Sequence, residues 1–305
     1  TFTGLKVPIP TCNVTFATAP MFEKDCYKIT FSDNTTVDCD YSHLWSVTTV
    51  SSISYDNQLK QEQRTFTLDT ETLFQDFKEK IYGVKLTKPV EYSEKTLTVD
   101  PYVLGYWLGD GSTNSSSFTV GDEDKEETAK LFEERGYILK KNKSKLNYSV
   151  VGLLTELKKI GTGDVKRIPS TYLQASVSQR FELLKGLLDS DGGINDRDRD
   201  IEFSSCFEEL AYQVYELICS LGIKATIAKN KSYLNGENKK DRYRILFKTN
   251  YEVFNLSRKL TKQVLEVGEK VKSRYNTRFI KNIERIKSEP VKCIEVDSPN
   301  SLFLI

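Results

Sequence analysis

The middle of this 305-residue chain is written twice. The first copy opens at Asp100-Pro101, an acidic cap followed by proline at the first helical position. It continues as the apolar run Tyr102-Val103-Leu104-Gly105-Tyr106-Trp107-Leu108-Gly109-Asp110-Gly111. The pattern then predicts a strand over 118–120, an acidic-start helix over 122–135 ended by Gly136, strands over 137–140 and 146–150, and a helix over 152–160. The second copy runs Leu183-Leu184-Lys185-Gly186-Leu187-Leu188-Asp189-Ser190-Asp191-Gly192. A strand over 200–204, a helix over 207–221 ended by Gly222, strands over 223–228 and 243–248, and a helix over 251–260 follow it. Each copy reads helix, strand, helix, strand, strand, helix. Two such halves in one chain predict an internal pseudo-twofold axis.

Laid together, the two opening helices put Gly105 on Gly186, Gly109 on Ser190, Asp110 on Asp191 and Gly111 on Gly192. Gly105/Gly109 and Gly186/Ser190 are i,i+4 pairs, so each helix carries a stripe of small residues on one face. Facing stripes let two helix backbones pack closer than the usual separation of about 8 to 10 Å. Gly111 and Gly192 read as C-terminal stops. The two aspartates then meet at one end of a tight helix pair, where each faces the negative end of a macrodipole and another carboxylate. A divalent cation relieves that conflict. Hard oxygen ligands without histidine or cysteine point to magnesium, with manganese or calcium as alternatives. One Gly-Asp-Gly after an apolar helix is ordinarily a cap and a turn; two of them with matching downstream elements point to a shared site.

Leu184-Lys185-Gly186-Leu187-Leu188-Asp189-Ser190-Asp191-Gly192 closely resembles the LAGLIDADG motif, and Leu104-Gly105-Tyr106-Trp107-Leu108-Gly109-Asp110-Gly111 resembles the variant that serves as the first motif in inteins. The resemblance implies a homing endonuclease that hydrolyses double-stranded DNA, one strand per half, near the twofold axis. The strand pairs at 137–150 and 223–248 would lie along the duplex and read base edges. In that family the last acid of each motif binds the catalytic metals, which carries over to Asp110 and Asp191. Asp189 has Leu108 in the corresponding place and is expected to be structural. The family also places a lysine near each half-site. Val165-Lys166-Arg167-Ile168-Pro169 resembles the segment before the second motif and points to Lys166; Lys240 is the second-half counterpart, with Arg242 and Lys239 as alternatives. The plainer role for any of these cations is a phosphate contact or a solvated charge. Two other classes share this fold: a regulator or RNA maturase that binds without cutting, and a splicing domain whose endonuclease has decayed. The presence of both Asp110 and Asp191 favours the nuclease.

Both ends of the chain read as β. Cys26-Tyr27-Lys28-Ile29-Thr30-Phe31, a Ser32-Asp33-Asn34 turn and Thr35-Thr36-Val37-Asp38-Cys39 form a hairpin. A strand over 44–50, a short helix over 70–81 capped by Thr70 or Asp69, and an extended segment over 85–99 follow; the β pattern returns only at 291–296 and 302–305. Residues 27–45 resemble the intein segment with a T-x-x-H signature, with Asp40 where threonine is usual, and 293–305 is similar to the penultimate intein block. The resemblance implies an α+β chain: an all-β Hint-like splicing domain formed by 1–95 and 265–305, interrupted at 96–264 by a pseudo-twofold LAGLIDADG domain of αββαββα type. It makes His43 the histidine that assists the first acyl shift, with Asp40 and Cys293 beside it. Thr1 stands where an intein carries cysteine or serine, and the sequence closes at Ile305 without the terminal His-Asn pair. The splicing residues are therefore expected to be vestigial and the ends trimmed; a buried structural histidine is the competing reading of His43.

Composition sets the remaining bounds. At 38% apolar and 11% aromatic residues the chain supports real cores. No apolar run approaches the roughly 20 residues of a membrane span and no signal-peptide pattern opens the sequence, so no membrane partner is expected. Six scattered cysteines without a C-x-x-C pair, and a single histidine, argue against a zinc site or a disulfide scaffold. They fit reduced thiols in an intracellular protein, cytoplasmic or nuclear with its host. The net charge is +1, yet from Lys224 to Lys292 19 Lys/Arg stand against 7 Asp/Glu, interleaved with aromatic residues, a footprint suited to a phosphate backbone. With both halves in one chain, the expected form is a monomer on a double-stranded DNA target spanning the intein insertion site.

Overall fold

The computed structural model describes residues 12–51, 64–143, 146–195, 200–231, 233–234, 237–238, 241–267, 276–298 and 302–303. The chain divides into two compact units, one from 9–87 and 272–305, the other from 88–271. The first unit opens with β1 (Val14–Ala17), β2 (Cys26–Phe31), β3 (Thr36–Asp40), β4 (Leu44–Thr49), β5 (Phe66–Asp69), helix α1 (Thr70–Asp76) and β6 (Tyr82–Lys85). The β2–β3 hairpin turns at Asn34, whose φ of 65° asparagine tolerates. Asp69 caps α1 by accepting from Thr72 N at 2.7 Å. The helix stops at Asp76 rather than at residue 81, and in the turns that follow the Asp76 carboxylate receives Lys80 Nζ at 2.8 Å and the Tyr82 hydroxyl at 3.1 Å.

The second unit holds the repeat. Its first half comprises α2 (Pro101–Asp110), β7 (Ser117–Thr119), α3 (Lys125–Glu133), β8 (Leu139–Lys141), β9 (Asn147–Val150), α4 (Leu153–Lys159) and α5 (Ser170–Leu173). Its second half comprises α6 (Val177–Asp191), β10 (Gly192–Ile194), β11 (Ile201–Ser205), α7 (Glu208–Ser220), β12 (Ala225–Asn230), β13 (Tyr233–Leu234), β14 (Glu237–Asn238), β15 (Arg242–Phe247) and α8 (Ser257–Val267). The sheets match strand for strand: β7-β9-β8 in one half, β11-β15-β12 in the other, all antiparallel. Gly111 bridges to Phe118, and Gly192 pairs with Phe203 at the same place. Helices α3 and α7 end alike, at Gly136 (φ 81°) and Gly222 (φ 71°), with Tyr137 N and Ile223 N donating back to Phe132 O and Ile218 O. That is the left-handed stop expected of each glycine.

Gly111 and Gly192 stop their helices as expected, but not with the left-handed backbone usual for a glycine stop. Both are extended (φ −74° and −96°), so they do not supply a left-handed cap. They are small because the chain folds straight back on its own helix: a Cβ on Gly192 would lie 2.6 Å from Leu188 Cα, and one on Gly111 2.7 Å from Trp107 Cγ. The helix expected at 251–260 begins instead at Ser257. Residues 253, 254 and 256 bury their side chains, and the Asp189 carboxylate accepts from the backbone N of Asn255 (3.0 Å) and Leu256 (3.3 Å), which holds this stretch off the helix.

The chain returns to the first unit through β16 (Thr277–Ile286) and β17 (Ile294–Val296). β16 runs down the middle of an antiparallel six-stranded sheet of order β3-β2-β16-β6-β4-β5. The sequence pattern does not show it. Its buried residues, Thr277, Ile280 and Ile283, recur every third position, and a register shift between Ile280 and Asn282 breaks the strand period of two. Three cations of the basic segment are engaged inside this sheet: Arg278 by Asp33 (2.8 Å), Lys281 by Asn34 (2.8 Å) and Arg285 by the Tyr27 hydroxyl (3.2 Å). Tyr27, Ile29, Phe31, Trp45, Val47 and Leu73 form the core of this unit.

Candidate active site at the paired helix ends

Helices α2 and α6 are the spine of the second unit, and small residues set their separation. A Cβ on Gly105 would collide with Leu183 O and lie 2.9 Å from Leu187 N; a Cβ on Gly186 would collide with Tyr102 O and lie 2.8 Å from Tyr106 N. At the next turn Gly109 abuts Ser190, whose hydroxyl donates to Gly186 O at 3.0 Å. The predicted stripes therefore face one another, backbone on backbone. Asp100 caps α2, accepting from Tyr102 N (2.9 Å) and Val103 N (3.2 Å), and a Ser176–Gln179 capping box starts α6.

Asp110 and Asp191 are the last residues of the two helices, and both side chains open to solvent. The protein behind them still disfavours their charge. Burial pushes Asp110 up, against an Oδ2 that accepts from Thr119 N at 3.2 Å and against the charge of Lys166. Asp191 rises to about 6, through burial first and then the charge of Asp110, with Lys166, Lys259 and Arg242 opposing. The carboxylates thus feel one another, as their placement at paired C-termini requires.

Two buried lysines close the site. Lys166 donates to Gly109 O at 2.8 Å, and burial pushes its pKa down while Asp110 and Asp191 push it up. The segment carrying it is shaped by Thr162, whose hydroxyl serves Val165 O and Arg167 O, both at 2.9 Å. In the second half the lysine that reaches the motif helix is Lys259, in the first turn of α8, a different place in the repeat from Lys166. Its Nζ donates to Leu188 O (2.9 Å), Asp189 O (2.7 Å) and Gly192 O (2.8 Å), and burial pushes it down to about 8. Lys240 and Lys239 lie outside the described residues. Arg242, the third alternative, is bound to Glu202 (3.2 Å) and Ser204 (2.7 Å) while its charge reaches Asp191. Sequence reasoning missed Lys259 because the helix was placed six residues early, which put this lysine near the helix end instead of its start. Beside Asp191 a cavity of about 390 Å³ is lined by Ser190, Gly192, Arg258, Lys259 and Lys262.

Asp189 does not line this opening. It is buried under the helix pair, where it accepts from the Tyr102 hydroxyl of the other motif at 3.0 Å as well as from Asn255 and Leu256.

The residues expected from the resemblance to serve splicing belong to the β-rich unit. His43 is half-buried, its ring 4.9 Å from that of Trp45 and 6.3 Å from that of Phe303; burial pushes its pKa down and Asp40 pushes it up. Asp40 spends its carboxylate on Ser42 N (2.7 Å) and Ser42 Oγ (2.8 Å) in the turn that leads to His43. Cys293 is exposed, and its backbone is paired with Thr18.

Residues 178–278, which begin in the second acid-tipped helix, match the LAGLIDADG-like domain family. Among individual proteins, the chain is 30% identical over 311 residues to a replicative DNA helicase DnaB from Mycobacterium intracellulare. That alignment takes in 95% of this chain and 50% of the relative, so the chain spans half the length of the curated protein it matches. Similar solved structures include mesophilic variants of the homing endonuclease I-DmoI (16% identity, TM-score 0.37, 55% of this chain and 93% of that one). Another is I-DmoI in complex with DNA and Ca (14% identity, TM-score 0.38, 54% and 95%).

Proposed function

We propose that this chain is a site-specific endonuclease that hydrolyses both strands of a DNA duplex with a divalent metal. One observation carries the reading: two carboxylates, each the last residue of a tightly packed helix, feel the charge of two buried lysines that donate to backbone carbonyls at those helix ends. A lone structural pair would have little reason to collect four charges around helix ends that disfavour the acids.

The donor set fits magnesium or manganese. Asp110 and Asp191 offer hard oxygen, and among the described residues no group of three or more His, Cys, Asp or Glu forms a complete cage. Such a site suits an ion that completes its shell with phosphate oxygen and water. Bound there, the metal supplies Lewis acidity and water at a lowered pKa. The chain's own residues do the rest. Asp110 and Asp191 hold the ion, one from each repeat, so each half serves one strand. Lys166 and Lys259 bring positive charge to the developing phosphorane, from positions already desolvated. The exposed faces of β7–β9–β8 and β11–β15–β12 lie along the duplex, and one chain supplies both halves of a monomeric enzyme.

The match to half of a protein named for a replicative helicase supports a second element of the proposal. The chain is the intervening part of a helicase precursor, an intein, working in the compartment of that host, and its DNA target is the uninterrupted host gene. His43 and Asp40 are the splicing residues of the β-rich unit, with Cys293 on its last ribbon. Incubating the chain with magnesium and a plasmid carrying the uninterrupted host gene tests the nuclease. Linear product, lost in Asp110→Asn and Asp191→Asn, is expected; binding without cutting, unchanged in those variants, defeats it. Expressing the chain between its native flanks tests the intein: ligated host product is expected in the wild type and lost in His43→Ala.

A further inference from the structure

Each lysine of the site lies on a segment held by the opposite repeat. Glu127, on α3 of the first repeat, accepts from Ser257 N through both carboxylate oxygens (3.0 and 3.1 Å) and from Ser257 Oγ at 2.5 Å. Ser257 opens α8 of the second repeat, two residues before Lys259. Beside it, buried Asp124 accepts from Arg258 Nε at 2.6 Å and from Arg258 Nη2 at 2.7 Å. In the other direction, Gln213, on α7 of the second repeat, closes a two-bond ring with one main-chain residue of the first: Ile168 N donates to its Oε1 at 2.7 Å and its Nε2 donates to Ile168 O at 3.1 Å. Ile168 lies two residues after Lys166.

Glu127 and Gln213 hold the same position in the repeat. Each lies nine residues before the left-handed glycine, Gly136 or Gly222, that follows its helix. The segments they grip are not equivalent: Lys166 follows α4, whereas Lys259 lies within α8. What the two segments share is a lysine that reaches the end of a motif helix. An amide that spends donor and acceptor on one residue's backbone fixes that backbone in place and rotation, and a carboxylate on a helix's first N–H fixes where the helix begins.

We propose that Glu127 and Gln213 are reciprocal positioning residues, each aiming the lysine of the other half, so that each repeat governs the strand cut served by its partner. The proposal rests on the nuclease reading above. The probe is a supercoiled plasmid carrying the uninterrupted host gene, with the two strands labelled separately and their cleavage rates measured in magnesium. Gln213→Leu shifts the strand ratio by about tenfold in the direction that Lys166→Ala does, and Glu127→Ala shifts it by about tenfold in the opposite direction, shared with Lys259→Ala. Glu127→Gln, which keeps an acceptor for Ser257, restores the wild-type ratio. Should Gln213→Leu not fold, Gln213→Glu, which keeps the acceptor for Ile168 N and loses the donor, takes its place. Equal slowing of both strands, or an unchanged ratio in both variants, overturns the proposal and leaves the nuclease standing. A wild-type chain that cuts neither strand overturns the nuclease reading, and the proposal with it.

Discussion

The hydroxyl of Tyr102, in the first motif helix, donates to Asp189 Oδ2, in the second, at 3.0 Å. Both side chains are buried, and burial pushes Asp189 up to about 6 despite the backbone N–H groups of Asn255 and Leu256 that also serve it. The bond therefore crosses the pseudo-twofold axis and joins three elements: the two motif helices and the approach to α8.

Tyr102→Phe removes the side-chain donor that this buried carboxylate has among the described residues and is expected to cost about 2 kcal/mol, the scale of a hydrogen bond to a charged group. Chemical denaturation measures it. A loss well below 1 kcal/mol at pH 8, where Asp189 is ionised, would mean that backbone donors alone satisfy the acid.

The helix pair tolerates no added methyl at its crossing. Gly105→Ala or Gly186→Ala drives a Cβ into a carbonyl of the facing helix and is expected to cost about 2 to 3 kcal/mol through overpacking. Gly193→Ala, at a position with nothing near its absent Cβ, should change stability by no more than about 0.5 kcal/mol. Melting temperatures of the three variants distinguish close packing from a general intolerance of substitution in this region.

Asp191 titrates near 6 in the folded chain, against about 3.9 for an unperturbed aspartate. The folded state thus binds this proton more tightly than the unfolded state. Its contribution to stability is fully present below about pH 4 and is lost as pH rises through 6. Melting scans should show Asp191→Asn gaining on the wild type between pH 5 and pH 8, without added metal. Magnesium should raise the wild-type melting temperature at pH 8 and not at pH 5, and do neither in the Asp110→Asn, Asp191→Asn double variant.

Arg180 is fully buried and binds oxygens of three segments: Ala175 O (2.9 Å), Ser220 O and Oγ (3.0 and 2.6 Å) and Val90 O. Arg180→Leu removes the charged donor from all three segments, although Ser220 O keeps Val90 N and Ser220 Oγ keeps Leu217 O, and should cost about 3 kcal/mol. The stretch after β6 loses an anchor at Val90, so trypsin should cut after Lys95 sooner than in the wild type. Unchanged digestion would show that the rest of the segment holds it.

Much of this protein is decided locally. Asp100-Pro101 starts α2 because the carboxylate caps and proline presets the backbone; Gly136 and Gly222 end their helices because only a left-handed residue turns there. The stripe Gly105, Gly109, Gly186, Ser190 already announces a close helix pair, and with it the meeting of Asp110 and Asp191. Such features depend on a few neighbouring residues, and sequence carries them plainly. Lys259, β16 and the extended backbone at Gly111 and Gly192 depend on distant partners. Asp189 delays the helix that bears Lys259, a bulge gives β16 a spacing of three that hides its strand, and the chain doubling back over Trp107 and Leu188 leaves no room for a Cβ. The cross-repeat grip of Glu127 and Gln213 is of the same kind: equivalent positions in sequence become partners of non-equivalent segments only once the two halves pack. Sequence thus determined which acids meet and pointed to Lys166; tertiary packing decided that Lys259 attends them from the second half, because a buried ammonium is placed by the carbonyls it can reach.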